Sequence, residues 1–116
     1  MELLEGERVL AFDLETTGVS TSRDRIVQLA LIGSNSDGTE ISYDQLVNPR
    51  RSIPYESQRI HGISDADVRG QPDFAEIADR VSELIDGCVL VGHNVRQFDL
   101  PMLRNEYLRI LSLIHI

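Results

Sequence analysis

The sequence contains no lysine: all 11 of its basic residues are arginine. Two readings fit, a GC-rich coding bias or an acidic surface of the salt-adapted kind. Against those arginines stand 19 acidic residues, for a formal net charge of -8. Taken alone, that charge argues against a nucleic-acid binder. The argument weakens if the acids hold divalent cations, because bound ions invert the local field. Cysteine is nearly absent. The single Cys88, in "GCVLVG", excludes an internal disulfide and reads as a small buried hydrophobe. No apolar run approaches the roughly 20 residues needed to span a bilayer. The acidic start "MELLEGER" lacks the basic and apolar regions of a signal peptide. These absences lead to the expectation of a cytoplasmic chain with no membrane partner.

What is present suits one domain or part of one. The 116 residues are 41% hydrophobic and 26% charged, which is ordinary for a globular chain and near the small end for an enzyme. From Glu7 to Asp13 the pattern predicts a strand, apolar enough at "VLAF" to be covered on both faces. "RIVQLALIG" predicts a second buried strand, "SNSDGT" a hairpin turn, and "EISYDQLV" a third, more alternating strand that stops at the prolines of "NPRRSIP". The periodicity then becomes helical. "ESQRIHG" closes at Gly62. "SDADVRG" carries a capping-box signal, Ser64 with Asp67. "PDFAEIADRVSELIDG" opens on Asp73 and Glu76, stops at Gly87, and places Phe74, Ile77, Ala78, Val81, Leu84 and Ile85 on one face. "CVLVG" predicts a short fourth strand, central because fully apolar. A last helix starts near Gln97 or Asp99, with Leu100, Leu103, Tyr107, Ile110 and Leu111 on its buried side.

The stretch "FDLETTG" sets Asp13 and Glu15 two positions apart at the end of the first strand, so both can point to one face. Paired carboxylates repel unless one is protonated or a cation neutralises them. Hard oxygen donors suit Mg²⁺ or Mn²⁺. Two such ions, about 3.5–4 Å apart, serve phosphoester cleavage. By itself the pair reads as an exposed turn far more readily than as a metal site, and spacing alone does not join it to Asp99.

Three antiparallel strands followed by helix, strand and helix is the order of the ribonuclease-H-like α/β fold, a mixed sheet with the fourth strand beside and parallel to the first. Ligands of open α/β sheets sit at the carboxyl ends of such strands. "FDLETTG", "IHGIS" and "VGHNVRQFDLPML", in that order, resemble the first motif, the middle histidine element and the second motif of the DnaQ-like (DEDDh) 3'→5' exonucleases, of the proofreading-subunit type. The resemblance spans roughly residues 7 to 108. It implies that Asp13, Glu15 and Asp99 are catalytic metal ligands for two divalent cations, with Asp13 bridging them. It implies that Thr16, Thr17 and Gly18 approach the 3'-terminal nucleotide, that His61 and Asn94 position substrate, and that Phe98 packs beside the terminal base or sugar. Singly, each has a plain structural alternative: a turn glycine, a strand-end cap, a core phenylalanine, a helix-end histidine. His93 reads as structural.

The chain departs from the family pattern twice. Three residues, "VRQ", separate "HN" from "FD" where two are common, an insertion that a bulged loop would absorb without moving Asp99. The family's third motif, with its general-base histidine and fourth acidic ligand, is not reached. His115 cannot stand in for it, since no aspartate follows five positions later. The ending "LSLIHI" resembles either adapter read-through, which would make residues 111–116 non-native, or a helix cut by an incomplete frame. The expectation is therefore a single exonuclease domain over 1–116, an N-terminal fragment with its C-terminal part missing. The implied function is hydrolysis of DNA from single-stranded or frayed 3' ends, releasing nucleoside 5'-monophosphates, beside a polymerase or helicase subunit. RNA trimming and a non-catalytic nucleic-acid-binding or scaffold role are the alternatives.

Overall fold

The computed structural model describes residues 8–35 and 37–114; His115 lies outside them. β1 (Arg8–Thr16), β2 (Ile26–Ser34) and β3 (Glu40–Leu46) form an antiparallel meander. Helices α1 (Tyr55–His61), α2 (Asp65–Val68) and α3 (Phe74–Ile85) follow, then β4 (Cys88–Val91), a π-helical turn (Val95–Asp99) and α4 (Leu100–Ile114). The sheet order is β3-β2-β1-β4, with β4 parallel to β1. This is the anticipated mixed sheet.

Local chemistry accounts for most boundaries. Gly62 ends α1 in the left-handed conformation at φ 76°, where a side chain would be strained. Both capping boxes form: Ser64 with Asp67, and Asp73 with Glu76. Leu10, Phe12 and Leu14 of β1 enter the main core with Leu29 and Leu31 of β2, beneath Phe74, Ile77, Val81 and Leu84 of α3. Phe74 meets Tyr107 of α4 edge to face at 5.0 Å, and the Tyr107 hydroxyl donates to the Ala78 carbonyl. A second cluster, Val27, Ile53, Ile63 and Val68, packs the segment from α1 to α2 against the sheet.

Three expectations need correction. β1 is covered on one face only, since Ala11 and Asp13 alternate outward, and the period-2 geometry decides this over the local apolar run. β4 is the edge strand of the described sheet rather than a central one, with Val91 39% exposed. Its apolar residues reflect packing against α3 and β1, not cover on both sides. On α4 the buried residues are Met102, Leu103 and Glu106, while Leu100 and Leu111 face outward. The face is rotated because Glu106 has an inward partner, described below.

Candidate active site

The C-terminal end of β1 meets the end of β4 here. Gly92 follows β4 so closely that a Cβ there would collide with the Phe12 carbonyl oxygen and approach Val95. Only glycine lets the chain pass under β1 and deliver the following residues beside Asp13. Asn94 then adopts the left-handed conformation at φ 59°, which asparagine tolerates, and its carbonyl accepts from the Phe98 N–H. The chain next makes one wide turn: the Leu100 N–H donates to the Val95 carbonyl, five residues back. This π turn takes up the long "VRQ" spacing and feeds straight into α4, with Asp99 turned inward. The bulge expected from the sequence is thus present in helical form.

Asp13 is exposed on β1, Glu15 is half-buried, and Asp99 is 4% exposed. The three carboxylates are close enough to disturb one another. Burial pushes the Asp99 carboxyl up to about 6, with further upward contributions from Asp13 and Glu15 and an opposing one from His93. Burial also raises Glu15, helped by Asp13 and opposed by His61. Asp99 Oδ2 is buried without a hydrogen-bond partner. A buried carboxylate oxygen with no partner, facing two like charges, calls for a proton or a cation. Among the described residues no group of three or more His, Cys, Asp or Glu side chains is placed to hold a metal ion. The acids converge without being clamped. Carboxylate oxygens alone are the donor set of hard cations such as Mg²⁺ and Mn²⁺, so the residues suit such an ion in donor chemistry and not in an assembled geometry.

Helix α1 holds the backbone next to this cluster. The Ile63 N–H donates to His61 Nδ1 at 3.0 Å, so the ring proton sits on Nε2, which donates to the Thr16 carbonyl at 3.1 Å. Ser57, one turn earlier on α1, donates to the Thr17 carbonyl at 2.6 Å. Thr17 is buried, and its hydroxyl donates to Asp24 Oδ1 at 2.9 Å while accepting from the Arg25 N–H. The Thr16 hydroxyl donates to the Gly18 carbonyl. Gly18 lies against the Asp24 carboxylate, which a Cβ would meet at 2.5 Å. The pairing of β1 with β2 shifts register between Glu15 and Thr16, a bulge that turns the end of the strand beside the acids.

The structure therefore gathers Asp13, Glu15 and Asp99, with His93 and His61 around them. It leaves Asn94 exposed and packs Phe98, half-buried, against the core. Ser57 and Asp24 are missed by the sequence reading. Ser57 carried a signal, four residues before His61 on one helix face; Asp24 carried none.

With this geometry in view, kinship decides the family. The profile described as exonuclease, of the RNase T family, matches residues 10–115. The chain belongs to this exonuclease family. As a member, it is 42% identical over 105 residues to a DNA polymerase III subunit epsilon-like protein of Rhodobacter capsulatus, covering 87% of this chain and 15% of that protein. It is 36% identical to the DNA polymerase III subunit epsilon of Treponema pallidum, covering 83% of this chain and 44% of the other. It is 33% identical to the 3'-5' exonuclease DinG of Bacillus subtilis, covering 86% and 11%. The exonuclease fold also superposes on E. coli exonuclease I crystallised with a dT13 oligonucleotide, with TM-score 0.77 and 25% identity over 89% of this chain and 24% of that one. The chain spans less than half the length of each of these relatives. No described helix is long and apolar enough to cross a membrane.

Proposed function

We propose that this domain is a metal-dependent 3'→5' exonuclease acting on single-stranded or frayed DNA ends, of proofreading or repair type, that releases nucleoside 5'-monophosphates. One observation carries the reading: a buried, unpartnered Asp99 carboxylate facing Asp13 and Glu15 at the carboxyl end of β1. Those three side chains would hold two divalent cations, Mg²⁺ or Mn²⁺. Such a pair supplies an activated water and neutralises the leaving oxygen. The rest falls to the chain itself. Thr16, Thr17 and Gly18 present a fixed backbone edge to the terminal nucleotide, held by His61 and Ser57 from behind. Asn94, exposed and in the left-handed conformation, offers its amide to the substrate, and Phe98 brings a ring edge near the terminal base. In this reading His61 positions rather than abstracts protons, because both of its ring nitrogens are engaged. His93 balances Asp99. No base is thereby assigned among the described residues. A cytoplasmic setting and a polymerase or helicase partner complete the proposal, and the names of the polymerase III epsilon relatives support the polymerase.

The test is a Mn²⁺ titration of the chain followed by electron paramagnetic resonance. Asp13→Asn and Asp99→Asn should each weaken binding by at least about tenfold. Binding indifferent to both substitutions would overturn the metal reading and favour a non-catalytic scaffold. Parallel incubation with 5'-labelled single-stranded DNA and RNA separates DNA hydrolysis from RNA trimming.

A further inference from the structure

In a chain of net charge -8, two arginines without a carboxylate partner share one depression. Asn48, Arg50, Arg51, Ser52, Asp65, Val68 and Arg69 line an open depression of about 430 Å³ between the β3–α1 loop and α2. Among the described residues Arg51 and Arg69 have no carboxylate within ion-pair distance. Arg51 Nη1 donates only to the Arg23 carbonyl. The single acid on the lining is Asp65, and its Oδ1 is taken by the Ile53 N–H at 2.8 Å. The neighbouring cavity around Arg25, Arg50 and Arg109 differs, because Glu106, Asp73 and Glu76 pair with its arginines.

The depression is also rigid. Asn48 Oδ1 accepts from the Arg50 N–H at 2.9 Å and holds Arg50 in the left-handed conformation at φ 57°. The Asn48 N–H donates to the Pro72 carbonyl. The loop leads directly into α1, whose Ser57 and His61 are bonded to Thr17 and Thr16 at the acid cluster. The cations and the acids therefore belong to one stiff unit.

We propose that this depression cradles a backbone phosphate of the single strand whose 3' end lies at the acid cluster, with Arg51 and Arg69 as the contacting cations. The proposal rests on the exonuclease reading and specifies where the rest of the strand runs. Guanidinium forks match phosphate oxygens, and phosphate contacts fix register without reading sequence. Val68, itself buried, is the one apolar residue on the lining. A peptide's apolar side chains would find little to pack on, which favours a nucleic-acid backbone over an acidic peptide.

Fluorescence anisotropy of a labelled dT12 strand, titrated with the full chain at several salt concentrations with Mn²⁺ present, tests this. Arg51→Ala/Arg69→Ala should reduce the magnitude of the log affinity–log salt slope by about 0.7, the loss expected for one single-strand phosphate contact. Its Mn²⁺ titration should not change. Arg51→Lys/Arg69→Lys should keep most of the slope, which guards against a folding defect. Asp13→Asn should do the opposite, losing the Mn²⁺ response and keeping the slope. An unchanged slope in the alanine pair overturns the cradle, whatever the metal experiment shows. A poly-aspartate peptide bound through these arginines by a chain that ignores dT12 also overturns it. Arginine-dependent strand binding with a Mn²⁺ response indifferent to Asp13 upholds the cradle and sinks the metal reading instead.

Discussion

Asp99 and Glu106 lie about two helical turns apart on one stretch of chain, and both are buried, at 4% and 3% exposure. Their surroundings are opposite. Glu106 Oε2 accepts from the Ile26 N–H at 2.9 Å, while Oε1 faces Arg109 at 3.1 Å and Arg25 at 3.7 Å. Every lone pair that matters has a positive or polar partner, and the bonds tie α4 to the start of β2. Asp99 has an orphaned oxygen, two acidic neighbours and a carboxyl driven up to about 6. One carboxylate is spent on holding the fold together. The other has an oxygen that the described chain leaves without a partner, the asymmetry on which the proposed metal role of Asp99 rests.

The contrast is most sharply broken at Glu106. Glu106→Ala strands two arginines and a backbone N–H, and should destabilise the chain by about 3 kcal/mol, discounted from a fully buried pair because both arginines reach solvent; urea unfolding measures it. Asp99→Asn should act with the reverse sign. The folded carboxyl ionises near 6 and the unfolded one near about 3.9. Its contribution to stability is therefore complete below the unfolded value and lost as pH rises from about 4 to about 6. Above pH 6 without divalent cations, the amide should be more stable than the wild type by about 2–3 kcal/mol. That gain should vanish at pH 4. Thermal unfolding across this range checks it, and an equal gain at both pH values would show that ionisation is not the cause. The smallest change is Ser57→Ala, which removes a single bond to Thr17 and should cost about 1 kcal/mol. In a Mn²⁺ titration it should leave the acids' affinity nearly intact, showing that the strand edge beside the cluster is braced separately from the ligands.

What the sequence made legible follows the range of each interaction. The capping boxes at Ser64 and Asp73 and the stop at Gly62 are written within a few residues, so they read directly. The inward turn of Glu106 could not be read that way, because its acceptor role depends on Ile26, on another strand 80 residues earlier. An apolar tally naturally preferred Leu100 and Leu111. A polar residue spaced between Leu103 and Ile110 was the one hint. The edge position of β4 depends on which strands lie beside it, and four apolar residues carry no such information. At the site, the pairing of Asp13 with Glu15 follows from strand geometry. The arrival of Asp99 beside them was visible only through likeness to a family, because no local rule joins residue 13 to residue 99. Thr17 shows the converse: its place in the motif implied an approach to the terminal nucleotide, while the structure commits its hydroxyl to Asp24.

The π turn at Val95–Asp99 bears on how this chain carries its long spacing before Asp99. A loop one residue too long would ordinarily swing the following helix out of register, and a sheet anchored on one side could not follow. Here the surplus is wound into the helix as a wider coil, so α4 leaves from the same place with Asp99 still facing β1. The joint acts as slack in an otherwise taut frame. The surplus is taken up before it reaches the acid, and Asp99 keeps its inward place at the start of α4.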